Sequence, residues 1–300
     1  MTIPSYEDMM LPLLNYSGDR KEHSVDEAVE YIKRVFNITE EESAALLKSG
    51  RQSVVSNRVG WARTYLKKAG LLDSHQRARF NITDLGIRVL SEKPPKITDK
   101  YLMKFESFQE FQKRGGTKKS GTTEKGTDAK TPLEILEDSY TTLRSALADE
   151  LLSNIAKCSP KFFENLVVDL LVGMGYGGSI IDAGQTIGKS GDGGIDGIIK
   201  EDKLGLDVIY IQAKRWEGPV GAKEIRNFVG ALAGQKANKG VFITTSSFTK
   251  EAVYFVQQIQ HKVILIDGQQ LAQLMIDYDI GVSTEKVYPV KRVDYDFFEG

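Results

Sequence analysis

Apolar residues recur every three or four positions through roughly the first ninety residues and again from about 132 to 175; after that they gather in short β-branched runs. The first pattern predicts helices with one buried face, and the second predicts strands. Three helix starts share one signature, a hydroxyl residue followed three places later by an acid: Ser5 and Asp8, Ser24 and Glu27, Thr39 and Glu42. That spacing lets each side chain satisfy a backbone N–H that the helix leaves without a partner. Behind Ser24, the residues Val25, Ala28, Val29, Ile32, Val35 and Phe36 fall on one side. After a break at 50–52, a helix is expected over 56–69, with Gly70 as its stop. At about 100° per residue, Val59, Ala62, Leu66 and Ala69 share one arc of it. Asn57, Gly60, Arg63, Thr64, Lys67 and Lys68 share the other, with Trp61 at the border as a packing residue. Leu71-Leu72 and Phe80-Asn81-Ile82 flank a polar basic turn and read as a hairpin, and Thr83 caps a helix ending near Leu90.

The second half is built differently. Between 112 and 130 the only apolar side chain is Ala129, among glycines and lysines. Such a stretch cannot bury enough surface to offset its ordering entropy, so it reads as a flexible tether. Before it, Tyr101, Phe105, Phe108 and Phe111 have helical spacing and are expected to pack on one of the domains. Thr131, Pro132 and Glu134 start a helix running to about 156, and Ser159-Pro160 starts another with Phe163, Leu166, Val167, Leu170 and Met174 as its core stripe. Ile180-Ile181 reads as a first strand, residues 198–199 and 207–213 as a hairpin turning near Leu204 and Gly205. A helix at 222–232, a strand from Gly240, a helix at 249–259, a strand from Lys262 and a helix at 269–276 capped by Asp267 complete the order. The expected fold is α/β: a winged helix-turn-helix domain at 1–92, a charged Gly-rich linker at 93–131, a mixed sheet flanked by helices at 132–288, and a tail at 289–300.

Composition narrows the function. Three hundred residues suit two domains, and a net charge of −1 gives no global attraction to polyanions. The charge is uneven, however: residues 51–80 carry seven Lys and Arg against one acid, Asp73. With Asn57, Arg58, Arg63 and Lys67 on the helix and Arg77 and Arg79 on the wing, that window is a candidate surface for double-stranded DNA. A plain solvated helix face is the alternative. Cys158 is the only cysteine, which excludes an internal disulfide and suits a reducing cytoplasm. The polar N-terminus is no signal peptide, no apolar run spans a bilayer, and the scattered His23, His75 and His261 argue against zinc.

The chemistry concentrates in 191–214, GDGGIDGIIKEDKLGLDVIYIQAK. If the hairpin turns near 204–205, Asp196 lies across from Gln212, and Lys214 shares their face, while Ile211 and Ala213 point the other way. A carboxylate can hold Mg2+, which prefers oxygen, and a neighbouring lysine can steady charge developing on phosphorus. An ordinary surface hairpin is the bland reading, but it needs no glycine on both sides of an inward aspartate. Glu164 stands out on its helix because Val168 and Leu171 flank its side; a salt bridge to Lys161 is its simple explanation. Asp182 and Asp192 are further acids but do not lie across from Lys214. Thr244, Thr245 and Ser246 read as a strand-to-helix turn in preference to a phosphate site.

Asp196 followed by Gln212-Ala213-Lys214 resembles the D…QxK variant of the PD-(D/E)xK nuclease motif, and GDGGIDG followed by IYIQAKRW is similar to Mrr-type modification-dependent (type IV) restriction endonucleases. The domain order agrees, so the resemblance covers nearly the whole chain. It implies a restriction-endonuclease-like fold and Mg2+-dependent hydrolysis (Mn2+ can substitute) of DNA carrying methylated bases. Asp196 would be the principal metal ligand and the Ala213 carbonyl the second. Glu164 would reach the metal, Lys214 would orient water and stabilise the phosphorane, and Gln212 replaces the usual second acid. Cutting both strands implies at least a homodimer on DNA. Two rivals remain: a structure-selective nuclease such as a junction resolvase, and a DNA-binding regulator without catalysis.

Overall fold

The computed structural model describes residues 3–74, 78–114, 129–177, 195–202, 204–294 and 297. Arg77, Asp182, Asp192, the strand expected at 180–181, the glycines at 191–194 and most of the expected tether lie outside the described residues. The chain divides into two compact units, Met1–Thr141 with Lys291–Gly300, and Thr142–Val290.

The first unit opens with α1 (Tyr6–Tyr16). It continues through β1 (His23–Ser24) and α2 (Val25–Val35) to α3 (Glu40–Ala44). All three expected capping boxes form, with Ser5, Ser24 and Thr39 accepting from the N–H three residues on. The helix α4 (Val54–Lys68) lays Val59, Ala62 and Leu66 against Met9, Met10, Leu13, Leu14 and Ile32, all fully buried or nearly so. The strands β2 (Leu72–Asp73) and β3 (Arg79–Ile82) pair antiparallel, and β1 joins the other edge of β3. Thr83 caps α5 (Asp84–Ser91) as expected. Two further helices follow, α6 (Asp99–Leu102) and α7 (Glu106–Arg114), and the aromatic segment settles on this core: Phe108 is fully buried, with Tyr101, Phe105 and Phe111 packed beside it. Thr131 then caps α8 (Pro132–Lys157), and the division between units falls within α8 after Thr141.

The second unit contains the rest of α8, α9 (Pro160–Gly173), β4 (Gly197–Lys200), β5 (Val208–Lys214), α10 (Ala222–Gly234), β6 (Lys239–Thr244), α11 (Lys250–Gln258), β7 (Lys262–Ile266) and α12 (Gly268–Asp277). Its sheet runs β4-β5-β6-β7; β4 is antiparallel to β5, and β5, β6 and β7 are parallel. Residues alternate across its two faces. Ile209, Ile211, Val241 and Ile243 pack with Phe163, Val167, Leu170, Leu271 and Met275 of the flanking helices. Phe242 and Val263 pack on the opposite side with Ile225, Phe228 and Leu232 of α10. Both faces are thus covered, as parallel β strands require. The hairpin turns at Gly205, whose φ of +69° suits glycine, and Asp202 accepts from the N–H groups of Leu204 and Gly205. No helix among the described residues is long and apolar enough to cross a membrane.

Candidate active site

The hairpin register decides the site. Gly197 pairs with Ile211 and Lys200 with Val208, but the Asp196 N–H also goes to Ile211, one residue off that register, so Asp196 does not lie directly opposite Gln212 as the alternation rule expected; it meets β5 at Ile211 and Ala213. Asp196 sits just before β4 begins. Its N–H donates to the Ile211 carbonyl at 2.8 Å, and its carboxylate accepts from the Ala213 N–H at 2.8 Å. The carboxylate therefore satisfies a β5 donor that the end of β4 would leave open. A strand residue sends its N–H and C=O to the same edge, so the Ala213 carbonyl also faces the Asp196 side.

Burial raises the Asp196 carboxyl above its ordinary range, and the charge of Glu164 pushes the same way; the Ala213 N–H and the charges of Lys214 and Lys161 oppose this. Glu164 and Lys214 thus converge electrostatically on Asp196 from α9 and β5. The pairing of Glu164 with Lys161 at 3.2 Å is present as well, and the Glu164 side chain is partly open to solvent, where its apolar neighbours suggested deeper burial. Gln212 carries a buried Oε1 without a hydrogen-bond partner. The Asp196 carboxylate beside the Ala213 backbone, and the orphan Gln212 oxygen on the neighbouring residue, are oxygen donors of the kind a hard divalent cation takes. No group of three or more His, Cys, Asp or Glu side chains placed to hold a metal ion occurs among the described residues, so neutral oxygens would matter to such a site.

Lys214 ends β5. Its Nζ reaches the Glu224 carboxylate at 2.6 Å and lies 4.5 Å from the centroid of the Trp216 ring. The sequence pattern that predicts a helix at 222–232 gives Glu224 no role. An acid in the first turn of the helix that follows QAK was the available signal. The hydroxyls of 244–246 serve the turn, as expected. Thr244 donates to the Lys214 carbonyl at 2.8 Å, and Thr245 accepts from the Trp216 N–H and donates to its carbonyl. A Cβ on Gly268 would lie 2.3 Å from the Thr245 carbonyl, so only glycine lets α12 start this close behind the turn.

The basic residues of the first unit separate into two groups. Asn57 was expected on the outer face of α4; instead it is buried, accepting at Oδ1 from the Thr131 hydroxyl at 2.7 Å. Arg58 forms a 2.8 Å ion pair with Glu134, both side chains only 11% exposed, and also donates to the carbonyls of Ile3 and Pro4. Helical angle misplaced Asn57, and charge alone misplaced Arg58, because the start of α8 covers that part of α4. Lys67 and Arg79 are exposed: Lys67 donates to the Ser74 carbonyl at 3.3 Å and Arg79 reaches Glu22 at 3.5 Å. Arg63 is half-buried.

Comparison with known proteins matches residues 6–92 to the family described as Mrr N-terminal domain and residues 155–275 to a restriction endonuclease family. The whole chain is 38% identical over 309 residues to the type IV methyl-directed restriction enzyme EcoKMrr of Escherichia coli strain K12, covering 100% of each. Among solved structures, the DNA modification-dependent restriction endonuclease AspBHI is 19% identical, over 71% of this chain and 56% of that one, with a TM-score of 0.37. The restriction endonuclease MspJI in complex with a 27-mer oligonucleotide is 17% identical, over 66% of this chain and 47% of that one, with a TM-score of 0.28. The chain therefore spans about half the length of those two structures.

Proposed function

Because this chain belongs to the Mrr-type restriction endonucleases, we propose that it hydrolyses phosphodiester bonds of DNA carrying methylated bases, with Mg2+ as the divalent ion. What supports the reading is Asp196 at the end of the β4–β5 hairpin, bonded to Ile211 and Ala213 of the segment that carries Gln212 and Lys214, with the charges of Glu164 and Lys214 acting on it.

Asp196 and the Ala213 carbonyl would hold Mg2+ directly, Glu164 directly or through water, and Gln212 Oε1 would supply a neutral donor. When bound, Mg2+ neutralises charge on the scissile phosphate and favours deprotonation of the attacking water. Lys214 donates to that water or to a phosphate oxygen, orienting the nucleophile and stabilising the negative charge that grows on phosphorus. Gln212 carries no charge where a second acid would, so DNA phosphates complete more of the ion's shell and metal affinity in free protein is weaker. The 1–92 segment is proposed as a winged-helix DNA module, with 132–288 as the nuclease domain. Arg63, Lys67 and Arg79 are its proposed phosphate contacts, together with Arg77; Asn57 and Arg58 are withdrawn from that role by their internal bonds.

The test is plasmid cleavage with Mg2+, comparing unmodified DNA with DNA methylated at cytosine and, separately, at adenine. Cleavage confined to a methylated plasmid, abolished by EDTA and by Asp196→Ala with DNA binding retained, is the expected result. Equal cleavage of all plasmids would remove the modification dependence and keep the nuclease. Binding without cleavage of any plasmid would leave a DNA-binding regulator, and preference for four-way junctions would leave a resolvase.

A further inference from the structure

Lys214 has a fixed seat. Its Nζ is 2.6 Å from Glu224 and faces the Trp216 ring. About three-quarters of each charged side chain is buried, with exposures of 26% for Lys214 and 23% for Glu224. Its backbone is clipped by Thr244, and the next turn by Thr245. A free lysine ammonium on its four-carbon stem would sample many rotamers. A carboxylate at 2.6 Å from α10 restricts it to one region at the end of β5.

Resting on the nuclease reading above, we propose that Glu224 is a positioning residue for the reaction, holding the Lys214 ammonium where substrate phosphate and water must meet it. Glu224 acts through Lys214. The competing role is a structural strap that ties α10 to the sheet. Packing weighs against the strap: Ile225, Phe228 and Leu232 already dock α10 with no exposed surface, independently of the Lys214–Glu224 pair. Removing the pair should therefore leave the helix in place and release the lysine.

The experiment compares the full-length wild type, Lys214→Ala, Glu224→Gln and Glu224→Asp in steady-state cleavage of whichever methylated plasmid is cut. The expected result for Glu224→Gln is a kcat lower by about 10–100-fold, with KM for DNA and the thermal midpoint essentially unchanged. Glu224→Asp keeps the charge and should recover part of kcat. A second readout needs neither metal nor DNA: acetic anhydride labelling of Lys214, read by peptide mass, should be severalfold faster in Glu224→Gln than in wild type. If Lys214→Ala is inactive while Glu224→Gln matches wild type, or if labelling is unchanged, the positioning role fails and the nuclease reading stands. Parallel loss of kcat and thermal midpoint, with no recovery in Glu224→Asp, would establish the strap instead. A wild type that cuts no plasmid would overturn the nuclease reading and the positioning role with it; a Lys214→Ala that cuts as well as wild type would overturn the positioning role and leave the nuclease reading.

Discussion

Asp196 shows how far the site departs from what stability alone would select. Its carboxyl is pushed above the ordinary range by burial and by Glu164, so the ionised form is disfavoured in the folded chain. Because the folded value lies above the unfolded one, this cost is absent in acid and grows as pH rises through that interval. Asp196→Asn should therefore raise the thermal midpoint at neutral pH, lose that advantage in acid, and abolish cleavage. Added Mg2+ should stabilise the wild type through binding to the native state and leave Asp196→Asn unmoved, as differential scanning fluorimetry would show. Glu134 has the opposite sign. Burial pushes its carboxyl up, but hydrogen bonds from Arg58 and Thr131 and the Arg58 charge outweigh this and hold it below its ordinary 4.5. Its contribution is present above that value and is lost as pH falls through the lower folded one. Glu134→Gln is expected to cost about 1–3 kcal/mol at neutral pH, a difference from wild type that shrinks in acid titrations of unfolding.

At the scale of elements, α4 and the β6–α12 junction make separate predictions. Arg58 is tied inward and Lys67 is exposed, so their substitutions should differ in kind. Arg58→Ala lowers thermal stability. Lys67→Ala leaves the fold intact and weakens DNA binding at low salt, reducing the slope of log affinity against log salt by about 1 if it contacts one phosphate. At α12, Gly268→Ala would press a methyl against the Thr245 carbonyl. A cost of about 1–3 kcal/mol is expected. Cleavage should fall as well, because Thr245 holds Trp216, which faces the Lys214 ammonium.

For the whole molecule, two units lie on one chain, and family membership joins the N-terminal domain to a restriction endonuclease domain. In the proposed nuclease one site would cut one strand at a time, so cutting both strands would call for two copies on DNA. Light scattering of the chain with a methylated duplex should give a mass of at least a dimer of protein per DNA; a strict monomer would count against paired cutting. The 38% identity over the full length to a methyl-directed enzyme makes methylated plasmid the first substrate to try.

What was legible in the sequence was local. Capping pairs such as Ser24 with Glu27 form between residues three apart, and the turn near Gly205 set the β4–β5 pairing, although Asp196 falls one residue off the register that alternation expected. Short-range geometry needs no knowledge of what lies across the fold, so these elements could be placed without it. What only the tertiary structure decided was long-range. Asn57 lies on the polar arc of α4 by helical angle and Arg58 was expected at DNA for its charge, yet Thr131 and Glu134, more than seventy residues away, bury them. Glu224 is an unremarked acid in a helix until the crossover from β5 to β6 lays α10 beside Lys214. A polar side chain's partner is chosen by the packing of whole elements, and that packing is fixed by apolar contacts far from it in the chain.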